Sequence, residues 1–198
     1  MNSKQKYLIG ILLIFLIVLG LRLYFAFQTP HFDKDAYFNV KQIENIKNTG
    51  LPLFSDPLSY GGRGHIFIPG FHYIMSIFTF FLPITIVLKI LPNIFASLLV
   101  IILYHLIFEI TKNRKVGLIG CIMGGFVPIF FAQTFNSVSV YSISIPLMFL
   151  TLYFMILLNK DNKYSIPLTL SFMALIFTDP AAILIVIVLL LYFVLAKS

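Results

Sequence analysis

The stretch Tyr7–Phe27, with the sequence YLIGILLIFLIVLGLRLYFAF, decides the fold of this chain. It contains 21 residues, and Arg22 is its only charged side chain. As an α-helix it rises about 31 Å, enough to cross the hydrocarbon core of a bilayer. It is too long for the core of a cleaved signal peptide, and the residues after it make a poor cleavage site. The stretch therefore predicts an uncleaved signal anchor.

The composition of the whole chain extends this prediction. Of 198 residues, 60% are hydrophobic and only 11% are charged, whereas soluble proteins are about a quarter charged. This excludes a soluble cytosolic enzyme, a disordered chain and a collagen-like chain. A single cysteine, Cys121, excludes a disulfide framework and a cysteine metal cage. The net charge of +7 does not indicate nucleic-acid binding, because the basic residues do not form a patch with interleaved aromatics.

Further apolar runs follow the first one after a long polar stretch, 28–65. They lie near 66–83, 84–111, 116–134, 138–159, 164–177 and 181–196. We expect an all-α, polytopic membrane helical bundle with about six transmembrane helices, plus an amphipathic or interfacial helix in the first outer loop. The expected organisation is a single transmembrane domain, 1–198. It comprises a first span at 7–27, an outer loop with interfacial helices at 28–83, and the remaining spans at 84–196.

The basic residues indicate the orientation of these spans. They form four short clusters: Lys4 and Lys6; Lys112, Arg114 and Lys115; Lys160 and Lys163; and Lys197. If 66–83 lies along the surface, where Pro69-Gly70 and Pro83 shorten any regular helix, all four clusters fall on one side. The positive-inside rule favours this arrangement. It predicts a multi-pass protein of the cell membrane with a cytoplasmic N-terminus and the first long loop outside.

The same topology separates the carboxylates. Glu109 and Asp161 fall on the inner side, and the others lie outside or at the outer interface: Asp33, Asp35, Glu44, Asp56 and Asp179. The runs on either side of Thr178-Asp179-Pro180 are each short for a span, and joined they are too long for one. This tripeptide therefore predicts a tight turn between two helices, with its carboxylate near the outer face, where it either serves chemistry or only caps the last helix.

The first outer loop carries the candidate chemistry. Apolar residues recur every three positions from Tyr37 to Ile46, which predicts an amphipathic helix over 36–47 with Asp35 as N-cap and Gly50 near the C-cap. Asp33 and Asp35 lie two residues apart around its start. Such a pair can hold a divalent cation or act as a base, although a solvated acid pair is the common alternative. Arg63 is a candidate phosphate ligand, or extends into the lipid headgroups.

Two short segments resemble a known family. Asp35-Ala36-Tyr37-Phe38-Asn39-Val40-Lys41 resembles the Asp-Pro-Trp-Phe-Asn-Tyr-Arg type of motif in oligosaccharyltransferase catalytic subunits, which are membrane glycosyltransferases of the GT-C class. The segment 136–144, which begins Asn136-Ser137-Val138-Ser139 and continues to Ser144, falls where that family carries Ser-Val-Ala-Gly-Ser-Tyr-Asp-Asn-Glu. The order of features is similar over about residues 7 to 180.

The resemblance implies a function and a set of site residues. The chain would transfer a sugar or oligosaccharide from a polyprenyl-phosphate or diphosphate donor at the outer membrane face. Asp35 would serve catalysis and hold Mg²⁺ or Mn²⁺. Position in the sequence, and not the resemblance, makes Asp33 a second catalytic candidate and makes Arg63 and Arg22 candidates to bind the donor phosphate. Arg22 can instead extend its side chain to the outer face. Asp56 and Asp179 would supply additional carboxylates.

Two departures from the family pattern keep alternatives open. Ser142 and Ser144 stand at the family's acidic positions and are poor ligands for hard metals. The family's later spans and soluble C-terminal domain do not appear in these 198 residues. We therefore expect either the N-terminal portion of a longer GT-C relative or a truncated, inactive remnant.

Two other kinds of protein compete with the glycosyltransferase interpretation. One is a non-catalytic membrane subunit of such an enzyme. The other is a small transporter or flippase component, which would carry ionisable residues at mid-membrane in broken helices. Apart from Lys89, the centres of the expected spans are nearly free of charge, which counts against transport.

Overall fold

The computed structural model describes residues 3–33, 36–56, 62–64 and 66–196, and these are mostly helical. The helices are α1 (Ser3–Gln28), α2 (Ala36–Thr49), α3 (Gly70–Thr79), α4 (Ile84–Thr111), α5 (Arg114–Gly125), α6 (Pro128–Thr134), α7 (Tyr141–Leu158), α8 (Ser165–Thr178) and α9 (Ala182–Ala196). A 3₁₀ turn, Asn162–Tyr164, precedes α8. In the loop between α2 and α3, β1 (Ser55–Asp56) pairs antiparallel with β2 (Arg63–Gly64).

Three of these helices are long and apolar enough to cross a membrane: α1, α4 and α7. The pair α5 and α6 makes a fourth candidate, bent by 48° at a short break, if the two helices form one span. Pro128 explains the break, since a proline at the start of α6 has no N–H to continue the helix from α5. With 14 and 15 residues, α8 and α9 are shorter than the roughly 20 that a span requires. Among the described residues the structure therefore supports a membrane helical bundle with three or four spans, and the expected six are not confirmed.

Several connections between the helices lie together at one end of the bundle. The Arg114 guanidinium lies 5.6 Å from the ring centre of Tyr7, so the α4–α5 connection adjoins the start of α1. The Lys160 ammonium pairs with Glu109, which brings the α7–α8 connection to the same place. We call this the basic end. At the opposite end the Lys89 ammonium binds the carbonyls that close α1, those of Ala26 (2.7 Å) and Thr29.

Small residues allow the central helices to approach closely. A Cβ on Gly120 or Gly124 would overlap the side chains of Ile107 or Leu103 on α4. These glycines therefore pack α5 directly against α4, as small residues commonly do between membrane helices. The core around this contact joins α1, α4, α5 and α6; it contains Ile11, Val18, Val100, Leu103, Cys121 and Phe130.

A second core fixes the first loop on the bundle. Ala36 and Ile43 of α2 pack with Phe71 and Met75 of α3, and this cluster continues to Val138 and into α4 and α7. Further along the loop, Gln42 exchanges two 2.8 Å hydrogen bonds with the backbone of Leu53. The loop between α1 and α4 is thus a folded layer that closes one end of the bundle. We call it the cavity end, because two cavities open there.

Candidate functional site

The two segments that carry the family resemblance meet at the cavity end. The Asn39 side chain of α2 donates from Nδ2 to the Val138 carbonyl at 3.0 Å. Nearby, the Asp33 N–H donates to the Asn136 carbonyl at 3.3 Å, and Asn136 Nδ2 donates to the His31 carbonyl at 3.0 Å. Residues about a hundred positions apart therefore form one joint between the first loop and the entry to α7.

Val138, at this joint, has an unusual backbone conformation. Its φ is +48°, in the left-handed region that a β-branched residue rarely adopts. The side chain is buried in the core that also holds Phe71 and Met75. Burial of the valine offsets the backbone strain and holds its carbonyl where Asn39 can reach it.

The first cavity, which we call the Asp33 cavity, has a volume of about 340 Å³ and lies beside this joint. Its walls are formed by Asp33, Asn39, Ala132, Gln133, Ser137, Ser139 and Tyr141. Its polar residues come from the first loop with α2, and from the end of α6 through to the start of α7. Asn136 Nδ2 lies 3.4 Å from Asp33 Oδ1, so the carboxylate is oriented by a neighbour.

The second cavity, which we call the His72 cavity, also has a volume of about 340 Å³. It shares Asn39, Ser139 and Tyr141 with the first. The remaining wall residues come from α2, the segment before α3, α3 itself, the start of α7 and the α8–α9 turn: Phe38, Ile66, Phe67, Ile68, His72, Val140, Thr178, Asp179 and Pro180. The two cavities therefore adjoin through a common wall.

His72 is held in one protonation state by its neighbours. Its Nε2 lies 2.8 Å from Asn39 Oδ1, and because the amide nitrogen of Asn39 already donates to Val138, Nε2 must carry the proton and donate. Burial lowers the pKa of His72 to about 4, so the ring is neutral near pH 7. Its Nδ1 is then an acceptor, and in the described structure this buried atom has no hydrogen-bond partner.

One oxygen of the Asp179 carboxylate accepts a backbone hydrogen bond, and the other has no partner in the described structure. Its Oδ1 accepts from the Ala181 N–H at 2.8 Å, so the predicted tight turn between α8 and α9 is confirmed, with its carboxylate binding the backbone at the entry to α9. Its Oδ2 is buried and has no partner in the described structure, although the residue lines the His72 cavity. The turn is positioned by Gly70, which approaches the Phe177 carbonyl so closely that a Cβ would overlap it.

The other predicted site residues lie in different surroundings. Arg22 is fully buried between α1 and α6, where Nη1 donates to Thr134 Oγ1 at 2.7 Å and the guanidinium faces Phe130 and Phe131. It does not line either cavity. Asp56 stands opposite Arg63 in the β1–β2 pairing. Asp35 lies outside the described residues.

The serines at the family's acidic positions do not line the cavities. Ser142 and Ser144 are both buried in the first turn of α7. The Ser142 hydroxyl donates to the Ser139 carbonyl at 2.7 Å. This bond ties the start of the helix to the backbone before it, and neither serine offers a carboxylate to the site.

The described residues do not by themselves build a metal centre. No group of three His, Cys, Asp or Glu side chains comes together within the described ranges. Asp33 lines one cavity and Asp179 the other, and the remaining lining groups are amides, hydroxyls and an imidazole. A divalent cation held by Asp35 stays a prediction, and no chemical step is derived through it.

Sequence reasoning missed the importance of three side chains. Asn39 was part of a quoted motif, but its bonds to His72 and Val138 depend on how α2, α3 and α7 pack. Asn136 joins the two segments through side-chain bonds that no spacing reveals. His72 carries no signal in the sequence, because its partner Asn39 lies 33 positions away and is brought to it by the packing of α2 against α3.

Comparison with protein-family models and with curated proteins finds no match to this chain. The chain is a helical protein with several spans suited to a membrane, and it carries two adjoining cavities at one end of the bundle.

Proposed function

We propose that this chain is a glycosyltransferase-like membrane protein of the GT-C class, which takes a sugar or oligosaccharide from a polyprenyl-phosphate or diphosphate donor. The observation that carries the proposal is the 3.0 Å bond from Asn39 to the Val138 carbonyl. The two segments that resemble the family's motifs lie about a hundred residues apart in the sequence. An active site that uses both of them requires them to be neighbours in space, and this bond joins them.

The distribution of charge supports a matching orientation. The basic end carries Lys112, Arg114 and Lys160, whereas Asp33 and Asp179 lie at the cavity end. Cytoplasmic loops of membrane proteins are enriched in lysine and arginine. We therefore propose that the basic end faces the cytoplasm and that the cavities open on the outer face of the cell membrane.

The proposed roles follow the position of each group. Asp33 and Asp35 would act on the acceptor or on the donor phosphate, with Mg²⁺ or Mn²⁺ at Asp35 supplying charge stabilisation when bound. Arg63 would bind the donor phosphate, and Asp56 and Asp179 would contribute further carboxylates. A phosphate role for Arg22 requires its guanidinium to leave Thr134 and the two phenylalanine rings.

Reconstituted full-length chain gives a direct test. Proteoliposomes would receive polyprenyl-phosphate hexose with a radiolabelled sugar, and with water as the acceptor of the sugar, release of labelled free hexose from the lipid phase would be measured with Mg²⁺ or Mn²⁺ present. We expect Asp35→Ala to reduce release about a hundredfold or more. The control, Asp161→Ala, removes a carboxylate at the basic end and should leave the rate unchanged. Equal rates for the Asp35→Ala variant and the wild type would overturn the assigned chemistry.

A non-catalytic membrane subunit is the second candidate, and the buried Ser142 and Ser144 favour it. They leave the entry to α7 without the acids that the family uses there. This candidate predicts neither donor release nor donor binding by the chain alone, together with co-purification of a larger enzyme. Binding of the same labelled donor to the proteoliposomes, measured by sedimentation, separates the two candidates.

A further inference from the structure

We propose that the His72 cavity binds the ring hydroxyl groups of a sugar, with Asp179 and His72 as the accepting side chains. The inference deepens the proposed function and rests on it for the choice of sugars as ligands. It assigns this binding role to His72, a residue outside the two segments of family resemblance.

Unfilled acceptors in the cavity wall are the first observation. Asp179 Oδ2 and His72 Nδ1 are both buried, and neither has a partner in the described structure. Both residues are more than nine-tenths buried and line the same cavity. Buried acceptors without donors are unfavourable, so a ligand that brings O–H or N–H groups to them is favoured.

Two side chains next to these acceptors, Asn39 and Thr178, direct their donors elsewhere. Both polar atoms of the Asn39 amide are used, one by Val138 and the other by His72. The Thr178 hydroxyl donates to helix carbonyls of α8, at 3.0 Å for that of Leu175, and keeps only acceptor capacity toward the cavity. Asp179, His72 and Thr178 thus contribute three acceptor side chains to one cavity wall, which suits a ligand with several donors at different positions.

The remaining walls match the apolar faces of a sugar ring. Phe38, Phe67 and Tyr141 line the cavity, and the Phe67 ring meets the rings of His72 and Phe38 edge-on at 5.1 Å and 5.7 Å between centres. The volume of about 340 Å³ lies near the lower end of small-ligand pockets, roughly 300–1,000 Å³. A pyranose carries donors around its rim and C–H groups on its faces, which fits this distribution. A compact ammonium ion would direct all its donors from a single atom.

Continuity with the Asp33 cavity connects this binding to the proposed reaction. Asn39, Ser139 and Tyr141 belong to both cavities. A sugar held against Asp179 and His72 therefore lies next to the segment that carries Asp33.

Saturation-transfer NMR on the full chain in lipid nanodiscs tests the assignment. The probes are the methyl glycosides of glucose, galactose and mannose, with propylammonium as the competing ligand class. We expect at least one glycoside to bind the wild type. In Asp179→Asn, which keeps the Oδ1 acceptor for Ala181 but replaces Oδ2 with a donor, binding should weaken about tenfold or more.

A second variant and a control complete the experiment. In His72→Gln the amide N–H₂ can still donate to Asn39 while the Nδ1 acceptor is lost, so glycoside binding should weaken about threefold or more. The control Asp161→Asn changes a carboxylate at the basic end and should bind as the wild type does. Each variant's SDS unfolding midpoint verifies that it is folded.

Each other outcome overturns the inference. These outcomes are no glycoside binding to the wild type, glycoside binding unaffected by Asp179→Asn, or binding of propylammonium alone.

The result also separates this inference from the proposed function. Glycoside binding that depends on Asp179, without any donor turnover, supports the sugar site and counts against the transferase. Donor turnover that depends on Asp35, without glycoside binding, does the reverse.

Discussion

The two ends of the bundle treat their carboxylates in opposite ways. At the basic end, Glu109 accepts from both Lys112 and Lys160, and Asp161 pairs with Lys163 at 2.9 Å. The N–H and ammonium of Lys163 lower the pKa of Asp161 below its usual value. At the cavity end, one oxygen of Asp179 and one nitrogen of His72 have no partner in the described structure.

This difference separates carboxylates that are paired within the protein from buried acceptors that no protein donor reaches in the described structure. The ion pairs of the basic end are partly exposed, so water and lysine both satisfy them, and they contribute little to stability. The buried acceptors of the cavity end have no protein donor among the described residues. The six partnerless buried polar atoms among the described residues belong to Arg22, His72, Asn93, Asn136 and Asp179, all in the half of the bundle near the cavities.

The largest expected effect is that of removing the Lys89 ammonium, a charge at the cavity end whose hydrogen bonds go to protein carbonyls. Lys89→Met keeps most of the side-chain volume but removes the ammonium that binds the carbonyls of Ala26 and Thr29. Because two buried carbonyls lose a charged donor, we expect the free energy of unfolding to fall by about 3 kcal/mol. SDS titration in mixed micelles measures it, with Lys112→Met at the basic end as the control. Equal midpoints for the Lys89→Met variant and the wild type would show that the carbonyls are satisfied in another way.

Gly70→Ala tests the contact that positions the Asp179 turn. The added Cβ would overlap the Phe177 carbonyl, which is backbone and cannot rotate away, so α3 and α8 must separate. We expect a loss of about 2 to 3 kcal/mol in the same titration. The matched control is Gly20→Ala, where the new methyl group has open space and the helix gains propensity. A Gly70→Ala variant as stable as the control would contradict the close contact.

Acid should destabilise the protein through His72. The pKa of this group is about 4 in the folded chain and about 6.5 when unfolded, so between these values the unfolded state binds more protons and stability falls as pH falls. At pH 5 the loss relative to pH 7 is on the order of 2 kcal/mol. In His72→Gln this contribution is absent, so the unfolding free energy should change less between pH 7 and pH 5. Parallel pH profiles for the two proteins would contradict a buried neutral imidazole.

The smallest effect is expected at the basic end. A double-mutant cycle with Glu109→Gln and Lys160→Met should give a coupling energy of about 0.5 kcal/mol, because half of the Lys160 side chain is exposed. The coupling should shrink further in 1 M salt. A coupling as large as the effect of Lys89→Met would remove the contrast between the two ends.

The sequence predicted the local features of the fold well. α2 begins at Ala36 as expected and extends two residues beyond the predicted Lys47, and Gly50 closes it with a φ of +78°. The turn at Asp179 follows directly from Pro180. Two short-range rules, capping and proline exclusion, are sufficient for these features.

The buried face of α2 was only partly predicted. The three-residue spacing placed Tyr37 with Ile43 and Ile46, but Tyr37 is exposed and Gln42 is buried. Gln42 belongs inside because its amide satisfies both backbone groups of Leu53. A pattern that counts only apolar residues does not detect such a partner.

The sequence predicted which carboxylates belong to the candidate site, but it did not predict how the elements that carry them pack together. Asp33 and Asp179 were both named from sequence, and the structure assigns them to adjoining cavities. The bonds that join these cavities connect Asn39 with His72 and Val138, and they arise from the packing of α2, α3 and α7. The span count was predicted only in part, because α8 and α9 have 14 and 15 residues and do not belong to the three or four candidate spans among the described residues.

The Lys89 contact has a consequence for how the protein is made. Sixty-three residues separate Lys89 from Ala26, so the last turn of α1 leaves the ribosome well before its partner is synthesised. At 5–20 residues per second the delay is roughly 3 to 13 s. During that time the carbonyls of Ala26 and Thr29 must accept hydrogen bonds from water or from the translocation machinery, so the end of α1 stays out of the lipid. Once α4 has been synthesised, Lys89 binds these carbonyls and replaces their temporary partners. The end of α1 therefore completes its folding only after α4 is present.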